Sequence, residues 1–367
     1  MSGELPAYTD AHVKAALLGA GASGTIYSLV MPESEAALAA IVDDRRRHFD
    51  MYREPWSQKQ DDMHVAYFDE WTRWSRPVVN SSADLFSFRY PTAGASEGIF
   101  KVMAEYLAGC RQKGTSPSIH IFDGEYEGFP AYAASLGMEV VRHARPNWRD
   151  VPGIIAERGM FWISQPSAID GMVWDDFPAF IAQMARERPD VAIIPDLTYV
   201  GSVGRAFAID LDAPNIPAFV ISHSKPFGGY YHRVGGVFSR TEMPSLFGNK
   251  WFKNLQSLAW ATAMMDRHGV FDLPRKYRDV QAEAARRVGA ALDVPALAPA
   301  DVMLLGIAPA DDGQGDLVKH VFRGSNGERV IRLCLTPAMT CLIDPGMAPH
   351  TGPSLLKAWQ TGGDGPA

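Results

Sequence analysis

Short apolar runs alternate with amphipathic stretches through the middle of the chain. Several of these runs are almost continuously apolar, which is typical of strands that are buried on both faces of a sheet. The predicted strands are Ser118–Phe122, Glu139–Arg142, Phe161–Ser164, Val191–Pro195, Ala218–Ser222 and Gly236–Ser239.

Segments with helical periodicity lie between these strands. In Ala95–Cys110 the apolar residues Ile99, Val102 and Met103 recur at helical spacing, and Asp176–Arg186 shows the same pattern. The alternation of strands with helices predicts an α/β domain that contains a mostly parallel sheet.

The pattern changes after about residue 243. Two long helices are predicted first, at Trp251–Met265 and Arg275–Leu292. Strands follow, and a Ser-Asn-Gly turn at 325–327 indicates a hairpin between the last two. This order of elements is typical of a smaller α+β domain. The predicted strands are Val302–Ile307, Asp316–Phe322 and Arg329–Leu335.

The composition narrows the class of protein. The chain has 367 residues, of which 47% are hydrophobic and 21% charged, as in a globular protein with more than one domain. A net charge of −7 argues against a nucleic-acid partner. The three cysteines lack the spacing of a disulfide scaffold or a zinc site. Met1–Asp10 is polar and no apolar run approaches a membrane span, so we expect no membrane association and a cytoplasmic protein.

The strongest chemical signal is a lysine in a Ser- and Gly-rich turn. The segment S-H-S-K-P-F-G at 222–228 begins at the end of a predicted strand, and Arg233-Val-Gly follows it. Lysine is rarely buried without a partner, and a lowered pKa makes it reactive, as in Schiff-base lysines. Taken alone, the motif leaves a solvated loop lysine as a substantial alternative.

Further motifs lie upstream of the lysine. Asp196 and Tyr199 form a D-x-x-Y pair at another predicted strand end, where Asp alone would also suit a helix cap or turn. Gly94, Ala95 and Ser96 open a predicted helix, whose free N–H groups and positive dipole end suit a phosphate. The same residues alone also fit an ordinary capping box.

In this order, the motifs resemble those of fold-type I pyridoxal-5′-phosphate (PLP) enzymes, the aspartate aminotransferase superfamily. The resemblance covers roughly residues 85 to 340. It implies that Lys225 binds the cofactor as a Schiff base. Asp196 would pair with the pyridinium nitrogen, and Tyr199 would reach the ring oxygen. The phosphate would be bound by Gly94, Ala95, Ser96, Ser222 and Arg233.

The resemblance assigns two further residues and a domain arrangement. Tyr126 would stack on the pyridine ring, and Arg332, in a predicted apolar strand, would bind the substrate carboxylate. A satisfied ion pair with a local acid is the other interpretation of Arg332. We expect an N-terminal segment 1–50 that packs on the small domain, a large PLP-binding domain 51–285 and a small C-terminal domain 286–367.

One segment departs from the family pattern. The sequence Q-P-S-A-I-D-G at 165–171 stands where many relatives have N-P-x-N-P-T-G. Ala168 therefore replaces an asparagine that hydrogen-bonds the ring oxygen in those relatives. Tyr199 would hold that oxygen alone, or Ser167 or a water would help. The departure leaves the type of reaction open.

A second glycine motif has a different interpretation. Residues 19–24 match G-x-G-x-x-G, a pattern of dinucleotide-binding loops. They follow a predicted helix, Ala11–Leu18, and no βαβ unit surrounds them. We therefore predict flexible backbone near the mouth of the active site, and no dinucleotide.

The resemblance implies a PLP-dependent enzyme of amino acid metabolism or biosynthesis, active as a homodimer with a shared site and without a metal. It would act on an α-amino acid through an external aldimine, and transamination is the predicted reaction. The alternative is elimination, replacement or cyclisation on a substituted amino acid, for example S-adenosylmethionine. A catalytically silent binding protein of the same fold is a third possibility, and the intact Lys225, Asp196 and Tyr199 argue against it.

Overall fold

The computed structural model describes most of the chain between residues 11 and 347. Several predicted segments lie partly outside it, including both ends of the chain, the start of the helix predicted at Trp251–Met265 and Asn326 of the predicted hairpin turn. The described residues are 11–46, 50, 61–82, 84–155, 158–251, 254–325 and 327–347.

Helices and strands alternate through the centre of the chain. After residue 243 helices come first, and four further strands follow from residue 298. The helices are α1 (Ala11–Gly19), α2 (Pro32–Asp43), α3 (Asp61–Ser75), α4 (Ala95–Lys113), α5 (Gly128–Ser135), α6 (Val151–Ile154), α7 (Phe177–Glu187), α8 (Leu255–Arg267), α9 (Asp272–Lys276), α10 (Arg278–Ala291), α11 (Asp316–Lys319) and α12 (Thr336–Ile343). The strands are β1 (Val79–Asn80), β2 (Phe88–Thr92), β3 (Ser118–Phe122), β4 (Glu139–His143), β5 (Met160–Ser164), β6 (Ala192–Asp196), β7 (Ile209–Asp210), β8 (Ala218–Ser222), β9 (Gly235–Ser239), β10 (Ala298–Pro299), β11 (Leu305–Pro309), β12 (Phe322–Arg323) and β13 (Val330–Cys334).

A seven-stranded sheet in the order β2-β9-β8-β6-β5-β3-β4 forms the centre of the molecule. Strand β9 is antiparallel to both of its neighbours, and the other pairs are parallel. The predicted α/β class with a mostly parallel sheet is therefore confirmed. All six strands predicted for this sheet are present, with ends shifted by at most one residue.

Helices cover both faces of this sheet, which explains the continuously apolar strands. In β8, Val220 packs into the core on the side of α4, whereas Phe219 and Ile221 pack into the core on the other side. Helix α3 contributes aromatic residues to the second core, where Trp71 lies 5.8 Å from Phe219 between ring centroids. Burial on both faces leaves the ends of the strands as the accessible part of the sheet.

A second sheet of four strands, in the order β10-β11-β13-β12, lies after residue 297 and is antiparallel throughout. Helix α10 contacts β10, β11 and α12. The N-terminal region also reaches these elements, since α1 contacts α11 and Ser23 forms an isolated bridge with Cys334. The domain boundaries themselves stay predictions.

Two predicted elements were wrong in continuity or type, and one strand was missed. The helix predicted at Arg275–Leu292 is divided into α9 and α10 at Tyr277, whose backbone is not helical. The strand predicted at Asp316–Phe322 is mostly the short helix α11, which begins after Gly315, and only β12 is extended. Strand β2 was missed because Pro91 interrupts its pattern, which the outer position of the strand tolerates.

None of the helices in the described ranges has the length and apolar character needed to cross a bilayer.

Candidate active site

Parallel strands bring the predicted site residues to one edge of the large sheet. Strands β3, β5, β6 and β8 run in the same direction, so their carboxyl ends meet at that edge. Asp196 is the last residue of β6, and Lys225 follows β8 in the turn that begins at Ser222. Ligands of open α/β sheets bind outside these strand ends.

Lys225 is half-buried, and its ammonium group donates to the backbone carbonyl of Ile26. Burial lowers the pKa of Lys225 to about 8, and the positive charges of Arg233 and Arg332 act in the same direction, while Cys334 opposes them. A lysine with such a pKa is partly neutral near pH 8 and can act as a nucleophile or base.

Asp196 is buried, with 4% of its surface exposed. Its Oδ1 accepts hydrogen bonds from the Thr198 N–H at 3.0 Å and from the Thr198 hydroxyl at 2.5 Å. Burial raises the pKa of Asp196 to about 6 despite these bonds. Among the described residues no cationic side chain pairs with it. A buried carboxylate of this kind requires a positive partner to remain ionised.

Tyr199 lies on the turn that follows Asp196 and is also buried. Burial raises the pKa of its phenol, and the nearby charges of Asp196 and Glu127 add to this, while Arg332 lowers it. The phenol therefore stays protonated at neutral pH and is available as a hydrogen-bond donor.

The residues predicted to bind phosphate meet at the start of α4. Gly94 precedes the helix with φ +81° and ψ 176°, and within the described part of the chain no side-chain cap bonds to the N–H groups at this helix start. The Arg233 guanidinium lies beside this turn and donates to the Ala93 carbonyl at 2.7 Å. Free N–H groups and an arginine at a helix N-terminus form an anion site.

Glycine is favoured at position 94 by the backbone conformation and by the close approach of Arg233. A Cβ at this position would come within 2.8 Å of Arg233 Nη2, and its φ and ψ lie in a region almost restricted to glycine. We expect Gly94→Ala to destabilise the protein by about 1–3 kcal/mol and to weaken cofactor retention. Urea unfolding and cofactor content after dialysis measure both effects.

The matched control for this substitution lies in the same helix. Gly109 is inside α4, and the space that a Cβ would occupy there is open, with no neighbouring atom within 4 Å. Gly109→Ala should leave cofactor retention unchanged and stabilise the helix by up to about 1 kcal/mol. Equal cofactor loss in both variants would contradict the role of Gly94.

Ser222 and Tyr126 complete the region around this turn. The Ser222 hydroxyl donates to Ser224 Oγ at 3.1 Å and accepts from the Ser224 N–H at 3.2 Å. The Tyr126 hydroxyl lies 3.4 Å from Ser96 Oγ, so the ring reaches from the end of β3 to the start of α4. The stacking role of Tyr126 stays a prediction.

The structure places Ser167 in a separate polar cluster. Its hydroxyl accepts from Arg145 Nη1 at 3.0 Å and from the Ile169 N–H at 3.1 Å. Arg145 in turn forms ion pairs with Asp170 and Glu328. The hydroxyl of Ser167 is thus already used by a buried arginine, and its assignment to the cofactor stays a prediction.

Arg332 is buried in β13, with 2% of its surface exposed. It donates to the backbone carbonyls of Ala168 and, at 3.4 Å, Gly24. The nearest carboxylate is that of Glu127, 3.7 Å from Arg332 Nη2. Arg332 Nε is buried and has no hydrogen-bond partner among the described residues, which leaves capacity for a further anion.

The glycine-rich segment 19–24 continues into a strap across the lysine turn, which we define as Ser23–Leu29. It follows helix α1, as predicted, and pairs with β13 through Ser23 and Cys334. The carbonyl of Ile26 accepts from Lys225, and the Ser28 hydroxyl donates to the Ser224 carbonyl. The strap therefore lies between the lysine turn and Arg332.

Sequence reasoning missed Glu125, a second buried carboxylate at the strand ends. It accepts from the Ser164 N–H at 3.0 Å, the Ser164 hydroxyl at 2.8 Å and the Tyr126 N–H at 3.2 Å. Burial raises the pKa of Glu125 to about 7. The available signal was its position three residues after the predicted buried strand Ser118–Phe122.

Comparison with solved structures identifies the fold. No protein-family model matches the chain, and no curated protein matches it. The structure is similar to the methionine aminotransferase YbdL from Escherichia coli, with 16% identity, coverage of 95% of this chain and 99% of that chain, and a TM-score of 0.61.

Two further structures have the same fold. The histidinol-phosphate aminotransferase from Sinorhizobium meliloti, in complex with pyridoxal-5′-phosphate, is 15% identical and has a TM-score of 0.58, with coverage of 89% of this chain and 88% of that one. The PLP-bound C-S lyase from Staphylococcus hominis is 13% identical, with a TM-score of 0.56 and coverage of 76% and 79%. The predicted aspartate aminotransferase-like fold is therefore confirmed.

Proposed function

We propose that the protein is a PLP-dependent enzyme that acts on an α-amino acid, and that it is an aminotransferase. The observation that carries this proposal is Asp196, a buried carboxylate without a cationic partner among the described residues. It lies at the same sheet edge as Lys225, whose pKa is lowered, and the anion site beside Gly94 and Arg233 lies there as well.

The residues at this edge fit PLP group by group. Gly94, Ala95, Ser96, Ser222 and Arg233 would hold the phosphate. The Arg233 guanidinium lies beside the start of α4, and Ser222 is in register with Gly235 and, across it, with Thr92 just before that helix. Asp196 would pair with the ring nitrogen and so gain the positive partner that its burial requires. Tyr199 would donate to the ring oxygen, and Tyr126 would lie against the ring face.

The chemistry divides between cofactor and protein. PLP, when bound, supplies an electron sink for the bonds at Cα of an amino acid. Asp196 would keep the ring nitrogen protonated. Lys225 Nζ, with a pKa of about 8, takes the proton from Cα and returns it, which is general base and then general acid catalysis. Arg332 orients the α-carboxylate of the substrate.

A second candidate is elimination, replacement or cyclisation on a substituted amino acid. Two observations favour it: Ala168 stands where many relatives have asparagine, and a C-S lyase is among the similar structures. The two reactions differ in whether a second substrate is required. Aminotransferases pass the amino group to a 2-oxo acid, whereas the alternative reactions need no acceptor.

The test incubates the PLP-loaded enzyme with an amino donor alone and then with a 2-oxo acid. For an aminotransferase we expect no more than one amino group removed per active site until the acceptor is added, measured as keto-acid product. Many turnovers without an acceptor would refute transamination and support the alternative.

We also propose a homodimer with a shared active site. Large aromatic side chains are exposed near the anion site: Tyr231 is 90% exposed and packs against Tyr230, whose ring lies 5.2 Å from the Arg233 guanidinium. Exposed aromatic clusters of this kind mark interfaces. Light scattering at micromolar concentration should give the mass of two chains, and Tyr231→Asp should lower it. A fully active monomer would contradict this proposal.

A further inference from the structure

Two arginines lie on the same face of the second sheet. Arg323 of β12 pairs with Val330 of β13, and Arg332 is two residues beyond Val330. Paired residues of antiparallel strands point to the same face, as do residues two apart on one strand. Both guanidinium groups therefore project from one face as diagonal neighbours, and both are buried, with 6% and 2% of the residue surface exposed.

One carboxylate, Glu127, lies between these two cations. Its Oε1 accepts from Arg323 Nη2 and lies 3.7 Å from Arg332 Nη2. Burial by itself would raise the pKa of Glu127, but the charges of Arg323 and Arg332 outweigh it and lower that pKa. The cluster thus holds two positive charges and one negative charge, and a single further carboxylate would neutralise it.

The cluster belongs to the candidate active site. Glu127 follows Tyr126, and its charge and that of Arg332 both act on Tyr199. Arg332 Nε, which is buried without a partner among the described residues, provides a donor for the additional carboxylate. The Glu127 side chain is 32% exposed, so it is accessible to a ligand beside it, whereas Arg323 is almost enclosed.

We propose that Glu127 is a specificity-determining residue that restricts the enzyme to monocarboxylic amino acids with uncharged side chains. The inference rests on the proposed function. Arg332 binds the α-carboxylate of the substrate. Glu127 forms an ion pair with Arg323, so this second arginine does not bind a second carboxylate of the substrate. An acidic side chain would meet the Glu127 carboxylate, and like charges held this close repel each other strongly.

The test measures ligand binding to the PLP-loaded enzyme through its visible absorption, with glutarate and valerate as probes. These five-carbon acids differ in whether the second end carries a carboxylate. We expect the wild type to bind valerate more tightly than glutarate. Glu127→Gln removes the charge and keeps the shape, and should shift the ratio of the two dissociation constants toward glutarate by about tenfold or more.

A second substitution and a control complete the design. Arg323→Gln in the Glu127→Gln background should reverse the shift, because it removes the arginine that receives the second carboxylate. Glu139→Gln is the control, since Glu139 is exposed at the start of β4, at the opposite edge of the sheet. The ratio of kcat/KM for glutamine to kcat/KM for glutamate should change among these variants in the same direction as the binding preference for valerate over glutarate.

The outcomes separate this inference from the proposed function. If no cofactor absorption develops with PLP, the proposed function fails. If the absorption is present but wild type already prefers glutarate, or the ratio is the same in wild type and Glu127→Gln, the specificity role of Glu127 is refuted. The wild-type preference decides the matter even if Glu127→Gln does not fold.

Discussion

The variant Lys225→Ala is expected to fold and to lose turnover by at least about 10³-fold, because in the proposed function this one side chain would both hold the cofactor and transfer the proton at Cα. Borohydride reduction of the wild type should fix PLP on the peptide that contains Lys225, as measured by mass spectrometry. The variant should yield no cofactor-labelled peptide after the same reduction.

Lys319→Ala is the matched control for this experiment. Lys319 lies on α11, and its one ion-pair partner among the described residues is the exposed Asp316 at 3.2 Å, so the variant should behave as wild type in both assays. Reductive labelling of another residue in Lys225→Ala, with activity retained, would show that the cofactor is carried elsewhere.

The second large effect is expected for Asp196→Asn, which should lower kcat by about 10²- to 10³-fold. Asparagine keeps the shape and can still accept from the N–H and hydroxyl of Thr198 at the same oxygen. It cannot supply the negative charge that, in the proposed function, would keep the cofactor nitrogen protonated. Steady-state kinetics measure the loss, and wild-type activity in this variant would refute the pairing.

Although Asp196→Asn should lower activity, it should raise the stability of the cofactor-free protein. Burial raises the pKa of Asp196 from its ordinary value of 3.8 to about 6 in the folded state, so the folded form binds the proton more tightly. The contribution of protonated Asp196 to the free energy of unfolding is complete below about pH 4 and is lost as the pH rises through 6. The loss at pH 7.5 is about 3 kcal/mol.

Asp196→Asn should therefore be more stable than wild type at pH 7.5 and gain little at pH 4, as measured by urea unfolding of the cofactor-free proteins. Asp266→Asn is the control, because the Asp266 side chain is 75% exposed. A stability difference that does not change with pH would exclude Asp196 as the titrating group.

The fold was predictable from sequence because its signals are local. A strand buried on both faces is apolar throughout, and the turns after β6 and β8 carry motifs within a few residues of Asp196 and Lys225. Short elements were less predictable: β12 has two residues, and the segment before it has an apolar content that suits either a strand or helix α11.

The cluster around Glu127 could not be predicted in the same way. Glu127 and Arg323 are 196 positions apart, and each is an ordinary charged residue in its local sequence. Their contact depends on how the second sheet lies against the turn after β3. Ser167 illustrates the converse, since its motif pointed to the cofactor while its hydroxyl contacts Arg145.

The strap Ser23–Leu29 also determines when the site is completed during synthesis. Gly24 and Arg332 are 308 positions apart, so residues made early by the ribosome bind to a strand that is made near the end. Contacts of such high sequence separation form late, because the intervening chain must be ordered first. A nascent chain released before residue 334 would contain all seven strands of the large sheet, with Lys225 and Asp196, yet would lack both the complete strand of Arg332 and the anchor that holds the strap over the lysine.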